Sequence, residues 1–134
     1  SCYVHRISNV REALVRAAKR GVRLTVIVET PEKVKGKDEY STIRALGQEV
    51  EACSTVYFWP KEKRPIGDNN KVGLLHVKCA VADGEWLFLS SANLTQQAFT
   101  INMELGMLIR GGSSPRRVED QFERLIREGH LEQV

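Results

Sequence analysis

The chain of 134 residues reads as an α/β domain, a mixed β-sheet flanked by helices. Three observations predict this class. A helical periodicity at 10–20 runs straight into a β-branched stretch at 22–29, two apolar runs meet at Asp83-Gly84, and a helical segment at 115–129 opens on proline and closes on glycine.

In chain order, Asn9 is a candidate N-cap for a helix over 10–20, in which Val10, Ala13, Leu14, Ala17 and Ala18 recur at three- and four-residue intervals. Lys19 and Arg20 suit its last turn, and Gly21 stops it. VRLTVIVE (22–29) has the length and branching of a buried strand. Residues 32–40 read as a charged loop, and 41–50 as a weak helix broken by Gly47. CSTVYFWP (53–60) is a strand ended by Pro60, followed by a polar loop at 61–71.

LLHVKCAVADGEWLFLS (74–90) predicts a hairpin turning at Asp83-Gly84, with a short helix after Asn93. Strand alternation sends Leu75, Val77, Cys79 and Val81 to the core and His76, Lys78, Ala80 and Ala82 to the other face. NMELGMLIR (102–110) is a further strand. Ser114 is the expected N-cap of the last helix, Pro115 its first turn and Gly129 its end.

One compact domain over 1–134 fits this length without disulfides or a structural metal. With 42% hydrophobic and 28% charged residues, neither disorder nor a membrane span is indicated. Cys2, Cys53 and Cys79 are odd in number and far apart, which suits a reduced, cytoplasmic setting. The net charge of +3 and a pI near 8.9 tilt the chain towards polyanions, though weakly.

His76 and Lys78, an i, i+2 pair beside two alanines, leave a recess suited to an anion. Ser91 and Asn93, at the end of the second hairpin strand, add neutral donors, so the four together make a phosphate cradle. Singly, each is unremarkable: a strand histidine is usually structural, and Asp83 is a natural turn-former. Six fixed positions together arise by chance in roughly one such chain in 10⁵–10⁶, which makes chance the poorer explanation.

His76-x-Lys78, Asp83 and Ser90-Ser91-x-Asn93 resemble the HKD signature of the phospholipase D superfamily, H-x-K-x₄-D-x₆-G-S-x-N, with Ser90 where glycine is usual. NMELGMLI resembles the N-x-E strand of that family, and 10–29 the helix and strand that precede its motif. The wording of 74–95 is most similar to bacterial phospholipase D-like proteins of defence-system type, including the component of DISARM anti-phage systems, which implies defence-system partner proteins.

The resemblance implies one lobe of the phospholipase D-like fold and phosphodiester transfer through a phosphohistidine. An imidazole titrates near pH ~6.5, so His76 can be a neutral nucleophile if an acceptor holds its far nitrogen. The resemblance gives that role to Glu104. Lys78, Ser91 and Asn93 would bind the non-bridging oxygens, while Asp83 and Ser90 are motif and structural positions. No metal or other cofactor enters these roles. A second imidazole must protonate the leaving oxygen, and neither His5 nor His130 sits in a second motif. A homodimer or a second lobe is therefore expected. The chain also starts without the strand expected ahead of its first helix, as half of a longer unit would.

Nucleic acid is the favoured substrate, because the 61–71 loop carries Lys61, Lys63, Arg64 and Lys71 against Glu62 and Asp68 and follows Tyr57, Phe58 and Trp59, candidates for base stacking or for the core. Phospholipid is the alternative substrate. A catalytically silent nucleic-acid-binding module, or a purely structural lobe, are the alternatives to an enzyme.

Overall fold

The computed structural model describes residues 8–29, 47–68, 70–95, 98 and 100–134. The charged stretch at 32–40 and residues 41–46 of the weak helix expected over 41–50 lie outside the described residues, as does Cys2. So does half of the short helix expected after Asn93.

Among the described residues, two three-stranded sheets carry the fold where the sequence suggested one mixed sheet. In the first, β1 (Thr25–Val28) and β2 (Thr55–Phe58) run parallel, with Thr25 opposite Thr55 and Val28 opposite Phe58. β6 (Glu132–Gln133) joins β2 antiparallel. A two-residue strand has no periodicity to read, and β6 was missed for that reason.

Helix α1 (Ser8–Lys19) begins one residue ahead of the expected Asn9 cap and ends before Gly21. Its Leu14 and Val15 pack on a core of Val28, Val50 and Val56, joined by Val26 and Phe58. Gly47 stands at the start of a helix. It is the N-cap of α2 (Gln48–Ala52) at φ 95°, a left-handed conformation that glycine adopts without a Cβ penalty.

The second sheet is antiparallel, in the order β3 (Cys79–Ala82), β4 (Trp86–Ser90), β5 (Gly106–Arg110). The turn between β3 and β4 is the one expected. Asp83 and Gly84 both take positive φ, 55° and 60°, and Glu85 N–H closes onto Ala82 C=O at 3.0 Å. Helix α3 (Ser114–Arg127) packs across β3, β4 and β5, with Leu87 buried in the sheet and Pro115 buried at the start of the helix. Its N-cap is Ser113 rather than Ser114.

The first hairpin strand is shorter than expected. Residues 73–78 lie outside any strand, Val77 is 38% exposed instead of buried, and Lys78 is half-buried. The cause is where the backbone bonds go. Leu75 N–H donates to the Glu29 side chain at 2.6 Å, and Gly73 N–H to Pro65 C=O, so these amides have partners outside the ladder. Without a ladder, strict alternation has no hold on the side chains.

The 61–71 segment is similarly built. A 3₁₀ turn at Lys61–Lys63 leads to Arg64, and Ile66 and Val72 form an antiparallel bridge around a tight turn. Phe58 joins the first core, as the core reading of the aromatics allowed. Trp59 is half-buried with the Arg64 guanidinium 5.4 Å from its ring centroid. No described helix is long and apolar enough to cross a membrane.

Candidate active site

The motif residues come from three adjacent chain segments that meet at one end of the β3-β4-β5 sheet. Ser90 N–H donates to Lys78 C=O at 3.0 Å, extending the β3-β4 pairing one step towards His76. Ser91 N–H donates to Leu105 C=O at 3.0 Å, and Leu105 N–H to Ser91 Oγ at 3.1 Å. These bonds carry the sheet past its last regular rung and bring Lys78, Ser91 and Glu104 into one neighbourhood.

Ser91 Oγ donates to Glu104 Oε2 at 2.5 Å, and Asn102 Nδ2 to Glu104 Oε1 at 3.1 Å. The Ser91 hydroxyl, then the Asn102 amide, hold the Glu104 carboxyl below the usual carboxylate range. Partial burial opposes that shift, and the Lys78 charge adds to it. Lys78 Nζ donates to His76 C=O at 2.7 Å, closing a short loop between these two motif residues. The His76 side chain is exposed and makes no hydrogen bond among the described residues. Glu104 therefore meets Ser91 and Asn102 here, and not the imidazole it was expected to orient.

Ser90 occupies the usual glycine position without disturbing the chain. Its Oγ accepts from Ala92 N–H at 2.9 Å, a local turn bond glycine could not make. Asn93 is half-buried, and its carbonyl accepts from Thr95 N–H at 2.8 Å. Asp83 lies at the far end of β3, about 16 Å of extended chain from Lys78. It is an exposed turn residue, so the motif aspartate here serves the hairpin.

Two of the four loop cations are already engaged. Lys63 Nζ lies 2.6 Å from both Gly129 C=O and the Glu132 carboxylate, and Arg64 is buried against Glu29 at 2.5 Å. Lys61 and Lys71 stay exposed. Sequence reasoning missed Glu29, which stands at the end of β1, far from the motif in sequence and without a spacing signal. It also missed Asn102, whose i, i+2 spacing to Glu104 was visible within the NMELG stretch.

The sequence matches the family described as "Cardiolipin synthase, PLD-like domain" over residues 2–126. No curated protein matches it. Among solved structures, NucT from Helicobacter pylori superposes with a TM-score of 0.76 at 19% identity, covering 99% of this chain and 79% of its own. Nuc from Salmonella typhimurium, a phospholipase D family member, gives 0.66 at 21% identity, covering 99% and 78%. The phosphatidylserine synthase of Haemophilus influenzae gives 0.62 at 14% identity, covering all of this chain but 32% of the synthase. These likenesses establish the fold, and the match over nearly the whole sequence establishes the family: the chain belongs to the phospholipase D-like domain family.

Proposed function

We propose that the chain is a metal-independent phosphodiesterase acting through a phosphohistidine, and that its substrate is nucleic acid. The observation that supports this best is the clustering of Lys78, Ser91 and Glu104 beside an exposed His76, a cation, a hydroxyl donor and a carboxylate at one open sheet end. In the first step a neutral His76 nitrogen attacks phosphorus; a P–N bond forms, the P–O bond to the leaving group breaks, and a protonated imidazole from a second lobe gives its proton to the leaving oxygen. Water then attacks the phosphohistidine, the now neutral second imidazole takes its proton, and the P–N bond breaks.

Lys78, Ser91 and Asn93 serve the non-bridging oxygens as charge grows on them. A phosphate at the site competes for the Ser91 hydroxyl. As Ser91 turns to it, Glu104 Oε2 is released to accept the far N–H of His76, so substrate itself completes the orientation of the nucleophile. Bonds of this kind commonly tighten only in the substrate complex.

The second imidazole comes from another copy of the chain or from a second lobe of a longer polypeptide. Its partner surface is apolar: Ile101, Met103 and Leu105, which flank Glu104, are 77%, 101% and 83% exposed. That same surface supports the second reading, a phospholipid substrate, as does the cardiolipin synthase description of the matching family. The exposed Lys61 and Lys71 and the positive net charge favour nucleic acid. The wording of the motif favours a bacterial anti-phage defence setting, in the cytoplasm and with partner proteins.

Hydrolysis of bis-p-nitrophenyl phosphate, single-stranded DNA and phosphatidylglycerol vesicles in EDTA, by wild type and His76→Ala, tests the proposal. EDTA-resistant cleavage of DNA that is lost in His76→Ala supports it, and cleavage of vesicles alone moves the substrate to lipid. DNA binding without cleavage at any protein concentration leaves only a binding module.

A further inference from the structure

A carboxylate and a guanidinium outside the motif are buried together just ahead of His76. The Glu29 side chain is 7% exposed and that of Arg64 1%. Glu29 Oε1 meets Arg64 Nη2 at 2.5 Å, while Oε2 accepts the Leu75 N–H at 2.6 Å. Arg64 donates through Nε to Trp59 C=O at 2.9 Å and through Nη1 to Gly73 C=O at 3.1 Å, and its Nη2 also reaches the Trp59 carbonyl. The pair thus grips both ends of the segment from Trp59 to Leu75, at backbone atoms, one residue before His76.

We propose that Glu29 and Arg64 are positioning residues, a buried clamp that sets the backbone presenting His76. Its catalytic consequence rests on the phosphohistidine reading, whereas its structural consequence does not. Three observations carry it. Residues 73–78 have no strand of their own, so a side-chain carboxylate supplies the partner that a ladder would otherwise give Leu75. The His76 imidazole has no hydrogen bond among the described residues, which leaves the backbone as the main determinant of where it stands. Lastly, a buried ion pair is a poor source of stability, since desolvation offsets most of its attraction and an apolar pair does as well. Directed bonds to the Trp59, Gly73 and Leu75 backbone are what an apolar pair would not supply. A nucleophile displaced by about 1 Å loses roughly a hundredfold in rate.

The test compares wild type with the double variant Glu29→Met/Arg64→Met and with Glu29→Asp. The double variant exchanges the ion pair for apolar bulk; the aspartate keeps the charge for Arg64 but withdraws the carboxylate by one methylene from Leu75 N–H. Circular dichroism and melting report the fold, hydrogen exchange reports the Leu75 amide, NMR reports the His76 ring, and bis-p-nitrophenyl phosphate turnover separates kcat from KM. The clamp predicts a folded protein whose Leu75 protection falls at least about tenfold, whose His76 ring signals shift, and whose kcat falls roughly a hundredfold with little change in KM.

A folded variant with wild-type Leu75 protection and kcat overturns the proposal, as does a loss of kcat that only tracks the loss of folded protein. If the double variant fails to fold, Glu29→Asp decides by the same readouts. If the wild-type protein turns over no phosphodiester, the functional reading falls, and Leu75 exchange with the His76 ring signals still decides the clamp.

Discussion

Ser91 joins the two halves of the site, because its hydroxyl donates to Glu104 while its backbone pairs with Leu105. Ser91→Ala removes the largest influence lowering the Glu104 pKa, and a carbon-13 NMR titration should show that carboxyl moving up towards the ordinary range. The sign for stability follows from the depressed value. Glu104 contributes above the pKa it has in the unfolded chain, and the contribution is lost as pH falls through its lower folded value. Acid unfolding of Ser91→Ala should accordingly begin at a higher pH than that of wild type. At His76, replacement by alanine should lower phosphodiester turnover at least about a hundredfold while leaving the melting temperature near wild type, because the side chain is exposed and unbonded among the described residues. Turnover that survives the substitution would remove His76 from the chemistry.

Among the elements, the β3-β4 hairpin depends on a turn that only certain residues tolerate. A Cβ at Gly84 would stand 2.7 Å from Arg116 Cζ and 2.8 Å from Glu119 Oε2, at φ +60°. Gly84→Ala should therefore cost about 1–2 kcal/mol in chemical denaturation, from backbone strain and from lifting the start of α3 off the turn. A neutral or stabilising result would contradict the close approach. The 61–71 segment differs from the basic loop its composition suggests. Lys63 and Arg64 are tied to Glu132 and Glu29, so only Lys61 and Lys71 are expected to meet a polyanion. Replacing either by alanine should reduce the salt slope of single-stranded DNA binding by about 0.7 per lost phosphate contact, whereas Lys63→Ala should leave the slope unchanged. Arg64→Ala has a different consequence: it strands Glu29 in the interior and should destabilise the fold by about 3–5 kcal/mol.

For the whole molecule, one copy of the chain carries one motif histidine, and the surface beside it is apolar. If two copies complete a site, turnover per chain should rise with protein concentration and level off as the dimer saturates, in step with the mass seen by light scattering. Met103→Glu, which puts a charge on a fully exposed side chain, should shift both curves to higher concentration and leave the monomer's stability within about 0.5 kcal/mol of wild type. Turnover per chain that is constant down to the monomer would remove the need for a second copy.

The local chemistry was legible because it is written at short range. Helix periodicity at α1 and α3, β-branching at β1 and β2, and the positive-φ pair Asp83-Gly84 each depend on neighbours within a few residues, and all appear close to their expected places. The motif spacing likewise singled out His76, Lys78, Ser91 and Asn93 as candidates, and the resemblance of NMELGMLI added Glu104, whereas the bond that ties Glu104 to Ser91 had no signal in the spacing. What only the tertiary structure decided involves partners distant in sequence. Leu75 donates its bond to Glu29 across 46 residues, and β3 accordingly starts only at Cys79, with Val77 exposed. Lys63 is claimed by the C-terminal turn, 66 residues away, and Glu104 by Ser91. A residue pattern records which side chains can pair, but which partner each one takes is settled when the folded chain brings competing groups within hydrogen-bond reach and away from water.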